Sequence, residues 1–156
     1  MVFLRSLDIV GSALTAERFR TDIILQNIAN ARTTRTPGGG PYRRQQLVFE
    51  ERPVMGFRDR LHRARSGANF VHRVHTEGAT SGGVRVRQIV ESTNEFRPVY
   101  DPHHPDANED GYVLYPNVNT TEEMVDLMAA TNAYEANLAA LNVVRAMINK
   151  SLELGN

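Results

Sequence analysis

Residues 111–124 read Gly-Tyr-Val-Leu-Tyr-Pro-Asn-Val-Asn-Thr-Thr-Glu-Glu-Met, and an unbroken helical pattern follows to residue 154. This stretch decides the fold. Pro116, Asn117 and Asn119 form a turn. Thr120 and Glu123 have the Thr-x-x-Glu spacing of a capping box. Glu122, Glu123 and Asp126 put negative charge where a helix dipole is positive. No Gly or Pro follows until Gly155, which is placed as a C-cap, with Lys150 near the last turn. The pattern predicts a helix of roughly 50 Å, longer than most in globular proteins.

Its apolar residues recur in steps of three and four. Met124, Leu127, Tyr134, Leu138, Leu141, Ile148 and Leu152 share one seam, interrupted by Thr131 and Arg145. The alanines at 129, 130, 133, 136, 139 and 140 raise helix propensity and permit close approach of a second helix. Burial of the seam yields on the order of 10–20 kcal/mol gross. Ordering the backbone costs roughly 1–2 kcal/mol per residue. Such a helix requires partners.

A second helix is expected over residues 3 to about 31. Phe3, Leu7, Val10, Leu14, Ile24 and Ile28 follow the same spacing, broken by Glu17 and Thr21. Gly11 weakens it by roughly 1 kcal/mol relative to Ala. Asn27 and Asn30 sit near its end. They are either solvated amides or polar residues that specify register in a helix–helix seam. The two terminal helices are expected to pair antiparallel, with a small β unit at the far end. The expected fold is therefore α+β: a coiled-coil-like hairpin of terminal helices with a β-rich insertion.

Between the helices, Thr33 to Tyr42 is a loop. Its glycines lack a Walker Lys-Ser/Thr, which argues against a phosphate loop. Tyr42 to Phe49 has mixed strand character. Val84 to Glu91 alternates clearly, with Val84, Val86 and Ile89 on one face. Phe96 to Tyr100 and Tyr112 to Leu114 are shorter extended pieces. Phe57 to Arg65 suggests one or two helical turns, and Phe70 to His75 alternates weakly.

The chain has 156 residues, 41% of them apolar, no Cys, no Trp and zero net charge. Absence of Cys excludes disulfides, thiolate zinc sites and a Cys nucleophile. No apolar run approaches the length of a membrane span, and residues 1–11 lack the apolar core of a cleaved signal peptide. Seventeen of the eighteen basic residues are Arg. Nine of them lie between Arg32 and Arg65 against three acids, whereas Glu91 to Asp126 holds nine acids and one Arg. This asymmetry reads as solvated faces or as charge complementarity between neighbouring copies. A third reading, an Arg-rich nucleic-acid binder, is opposed by the zero total charge.

His72, His75, His103 and His104 invite a metal-dependent enzyme as an alternative, although the prolines around 103–104 suit an exposed turn. Asp106 to Gly111 resembles half of a calcium loop, but Asn117 stands where the bidentate glutamate belongs. No cofactor site and no nucleophile motif is recognisable.

Several segments resemble the flagellar basal-body rod proteins. They are Asp8-Ile-Val-Gly-Ser-Ala-Leu14, Asn27-Ile-Ala-Asn30-Ala, Thr33-Thr34, Pro41-Tyr-Arg-Arg-Gln45 and Asp101-Pro. To these are added His104-Pro-Asp-Ala, Gly111 to Asn119, Glu123-Met124 and Ala133-Tyr-Glu-Ala-Asn137. The resemblance covers about residues 3–50 and 84–155. The middle, about residues 52–81, is longer than usual for the family. Asn132 replaces the usual Arg before Ala-Tyr, so a salt bridge from that position is not available.

The resemblance implies a non-enzymatic axial protein, exported unfolded through the flagellar type III apparatus without a cleaved signal. It implies assembly in the periplasm, with copies of itself and other rod proteins, into a helical rod that transmits torque. Nucleic acid and stable membrane insertion play no part. Residues 1–35 and 117–156 would form the rod core, and 36–116 a β-rich outer part. The expected assembly residues are Leu7, Val10, Leu14, Ile24, Asn27, Ile28, Asn30, Met124, Leu127, Thr131, Tyr134, Asn137, Leu138, Leu141, Arg145 and Ile148.

Overall fold

The computed structural model describes residues 2–52, 61 and 82–153. Helix α1 spans Val2–Ala29 and helix α2 spans Thr120–Glu153. Between them lie strands β1 (Gln45–Glu51), β2 (Val84–Glu91), β3 (Arg97–Tyr100) and β4 (Tyr112–Tyr115). They form two separate two-stranded antiparallel sheets, β1–β2 and β3–β4. The α+β expectation of two long terminal helices around a small β unit holds. The expected turns at 57–65, residue 61 apart, the extended piece at 70–75, His72, His75 and the Gly155 cap lie outside the described residues.

The two helices pack along their length, the end of α1 against the start of α2, so the pair is antiparallel. Ala130 on α2 is fully buried. A methyl group there lets the helix backbones approach closely, as the Ala-rich sequence suggests. Ile23 and Ile24 are buried apolar side chains of α1.

The β1–β2 ribbon does not stand beyond the far end of the helix pair. It turns back along α1. Gln45, at the start of β1, is bonded to Asn27, and the Val84 amide at the start of β2 donates to Ser12 Oγ (3.0 Å). Ser12 to Asn27 is about 22 Å of helix, and β1 is about 23 Å of strand, so the two lengths match. A bulge between Val48 and Phe49 shifts the register. Leu47 then pairs with Ile89, and Phe49 with Val86. The bulge restores Ile89 to the face of Val84 and Val86 despite its odd spacing.

The expected capping box does not form. The N-cap is Asn119, one residue earlier: its Oδ1 accepts from the Thr121 amide (3.1 Å), and its carbonyl accepts from the Glu123 amide (3.0 Å). Asn is as good a cap as Thr. Glu123 is thereby released from the cap and turns inward.

Ribbon and helix meet most tightly at Gly83, which has φ +102°. A Cβ built there would lie 2.1 Å from Ser12 Oγ. The Gly83→Ala substitution is expected to cost about 1–3 kcal/mol through strain, lost packing and the lost Ser12 bond. Urea unfolding would check this; an unchanged midpoint would contradict the close approach.

Candidate functional site: a buried polar junction between the terminal helices

Asn27 lies in the last turn of α1, two residues before its end, and is almost fully buried. Every hydrogen-bonding position of its side-chain amide is used. Nδ2 donates to the Gln45 carbonyl (2.9 Å) and to Glu123 Oε2 (3.0 Å). Oδ1 accepts from the Tyr42 hydroxyl (2.9 Å) and the Gln45 amide (2.9 Å). One side chain thus closes the outer edge of β1 at Gln45, as a neighbouring strand would. Of the two sequence readings, the register-specifying amide applies to Asn27. Asn30 acts locally instead: Nδ2 donates to the Gln26 carbonyl, and Oδ1 accepts from Thr33.

Glu123 is the acidic centre of the junction and is 1% exposed. Its Oε1 accepts from Arg44 Nε, and Arg44 also reaches Asp126 (3.5 Å). A buried carboxylate without a cation would cost several kcal/mol. Arg44 and Asn27 together remove that cost. The loop that delivers them is itself anchored. The Tyr42 amide donates to the Thr33 carbonyl, Arg43 stacks over Phe96 at 4.6 Å, and the Ser92 amide donates to the Arg44 carbonyl. Burial raises the Tyr42 hydroxyl above its usual pKa of 10.0, and the Glu123 and Glu91 carboxylates push it further.

The seam residues divide in two. Leu7, Val10, Leu14, Ile24 and Ile28 on α1 are buried or half-buried, as are Leu127, Asn137, Leu141 and Ile148 on α2. Met124, Thr131, Tyr134, Leu138 and Arg145 are exposed. The inner face of α2 runs instead through Glu123, Leu127, Ala130, Ala133, Asn137, Leu141, Val144 and Ile148. That stripe contains a Glu, an Asn and two Ala, so a count of large apolar residues drew the seam about one position away. Tyr42, Arg44 and Glu123 were absent from the expected site residues. Pro41 to Gln45 and Glu123-Met124 already stood out as family-like segments, without a role attached.

His103 and His104 shape a turn. The His103 amide donates to Asp101 Oδ1, and His104 Nδ1 accepts from the Asp106 amide while its ring meets Tyr115 edge-on. Asn108, within the calcium-loop-like segment, uses its side chain to accept from the Tyr112 amide. Among the described residues, no three acidic or His side chains converge on one point, and no helix is long and apolar enough to cross a membrane.

Residues 109–154, spanning β4, the Asn119 cap and α2, match the family described as flagellar basal body rod FlgEFG protein C-terminal. The chain is 40% identical over 159 residues to the flagellar basal-body rod protein FlgC of Bacillus subtilis (strain 168), covering 99% of both chains. It is 37% identical over 158 residues to FlgC of Borreliella burgdorferi, covering 99% of this chain and 98% of the relative. It is likewise 37% identical over 155 residues to FlgC of Escherichia coli O6:H1, covering 99% of both. The fold and these matches define a structural rod protein of the flagellar basal body, not an enzyme. Within that class, the chain belongs to the FlgC family. The metal-enzyme and nucleic-acid alternatives are set aside by this membership.

Two outcomes follow from the junction. Asn27→Ala strands the edge of β1, Tyr42 and part of Glu123 together, and is expected to destabilise the protein by about 3 kcal/mol or more. Chemical denaturation measures this; a loss under 1 kcal/mol would show the network to be incidental. The raised Tyr42 pKa sets an alkaline limit. Its stabilising contribution is complete below pH 10.0, where Tyr42 is neutral in both states, and is lost as pH rises toward the folded pKa. Tyr42→Phe should flatten part of that loss between pH 9 and 11; an identical pH profile would remove Tyr42 from the cause.

Proposed function

We propose that this chain builds the helical drive shaft of the flagellum by packing the outer face of α2, and the free ends of both helices, against neighbouring subunits. The observation that carries the reading is what α2 leaves uncovered. Met124, Val125, Met128, Val143, Met147 and Leu152 are all more than half exposed. Two apolar clusters on one face of the helix, Met124 with Val125 and Met128 and, farther along, Val143 with Met147, exposed on a lone subunit, mark a surface made for other proteins. The partners are other rod proteins and copies of the same chain. Contacts of this heterologous kind, repeated without closure, generate helical assemblies.

In this reading α1 and α2, about residues 1–35 and 117–156, form the part nearest the axis of the rod. The segment 36–116 forms the outer part. The subunit reaches the periplasm unfolded through the flagellar type III export apparatus, without a cleaved signal, and transmits motor torque once assembled. The exposed Met124, Thr131, Tyr134, Leu138 and Arg145 serve contacts between chains. The half-buried Leu127, Asn137, Leu141 and Ile148 serve the contact with α1 of the same chain. No cofactor enters this function.

Leu138 and Leu141 separate the two kinds of contact. Leu141→Asp places a charge in the half-buried α1–α2 face and should lower the stability of the isolated protein by about 2–4 kcal/mol. Leu138→Asp should leave that stability within about 0.5 kcal/mol, yet abolish incorporation into isolated basal bodies and swimming. Normal rods from Leu138→Asp cells would sink the outer-face reading.

A further inference from the structure

Two surfaces of the protein match each other and do not meet within one chain. The first is a groove of about 480 Å³ between α1 and β2. Its floor is apolar, made by Ala16, Phe19, Val84 and Val86. Its rim carries Arg18, Arg52 and Arg85, with Asp22 as the acid. Arg85 is engaged by Glu50 (2.6 Å), whereas Arg18 and Arg52 have no acidic partner among the described residues.

The second surface is the β3–β4 hairpin. Register pairs Pro98 with Leu114 and Tyr100 with Tyr112, which puts all four on one face. That face is exposed, Tyr100 at 65%. The two tyrosine rings meet edge to face at 5.4 Å, which stiffens a patch rich in a residue favoured at protein interfaces. Asp101, Glu109 and Asp110 flank it at the hairpin's end, and neither Glu109 nor Asp110 has a cation beside it among the described residues. Its opposite face, Val99 and Val113, turns inward. The hairpin backbone does not run close beside α1, β1, β2 or α2.

We infer that the acid-flanked Tyr100/Tyr112 hairpin of one copy seats in the Arg-rimmed groove between α1 and β2 of the next. A projecting apolar face with an acidic border fits a concave apolar floor with a basic border. The unpaired Arg18 and Arg52 meet the unpaired Glu109 and Asp110. Complementary charges of this kind fix orientation and exclude wrong partners more than they add affinity. The contact joins two different surfaces, so it does not close on itself and propagates a helical array. It deepens the rod reading and rests on it, because it needs neighbouring copies.

The test exchanges the charges. Arg18→Glu with Arg52→Glu, and separately Glu109→Arg with Asp110→Arg, should each reduce the chain recovered in isolated basal bodies about tenfold or more. All four together should restore recovery to within about threefold of the parent, because the charge pattern is only inverted. Thermal melts of the purified variants should match the parent, since all four side chains are exposed. Unaffected incorporation in either pair, or no rescue in the combination, overturns the contact.

Cross-linking supplies a second measurement. The chain has no cysteine, so Thr15→Cys with Tyr112→Cys gives the only thiols. A short bismaleimide should yield multimers of this chain in isolated basal bodies. Monomer alone, or linkage to a different protein, overturns it. Absence of the parent chain from basal bodies would instead overturn the rod reading itself.

Discussion

The contact between Asn27 and Glu123 is the constraint on which the other elements depend. It ties residues 96 positions apart and brings in the loop through Tyr42 and Arg44. Buried charges add little net stability against a well-packed apolar contact, but they tolerate few alternative geometries. Rotation of α2 by one residue, about 100°, would take Glu123 out of reach of both Asn27 and Arg44. The junction therefore sets the angle of α2 about its own axis. It thereby decides which stripe packs on α1 and which stays outside.

Helix α1 is used on two sides. Ser12 and Ala16 meet the ribbon, while Asn27 and Ile24 meet α2. Short side chains at the first of these contacts, and Gly83 on the ribbon, bring backbone close to backbone. Against this, α2 is covered on one side only. The buried apolar core is correspondingly small for two helices of this length, and includes Ile23, Ile24, Val113 and Ala130. The balance suits a protein whose remaining apolar surface is completed by neighbours. A large self-sufficient core would leave less of α2 for them.

The β3–β4 hairpin is held through loops rather than through the helix pair. Thr34 Oγ1 donates to Asp106 Oδ2 (2.8 Å), and Gly111, at φ +79°, lets the chain pass under the Tyr100 ring. Four of the residues that suggest metal or calcium ligands are spent on this turn. The side-chain oxygens of Asp101 and Asn108 and the His104 ring nitrogen accept backbone amide protons, and Asp106 accepts the Thr34 hydroxyl, so that together they hold the hairpin at its place. A sequence motif of acids, Asn and His is chemically ambiguous, because turn formation and ion binding ask for the same atoms.

Local patterns determined a good part of the protein. Period-three-and-four spacing marked both helices, alternation marked β2, and Pro and Gly marked the loops, because these signals act between residues a few positions apart. Family-like segments carried the class of protein. The tertiary structure decided what depends on distant partners. Glu123 suits a cap by spacing, and only the arrival of Arg44 and Asn27 makes it a buried centre. The inner stripe of α2 includes Ala130 and Asn137, and its position one step from the largest apolar residues follows from the junction rather than from hydrophobic count. The ribbon's return along α1 follows from Ser12 and Asn27 being one strand length apart, a match visible only when helix and strand are laid side by side.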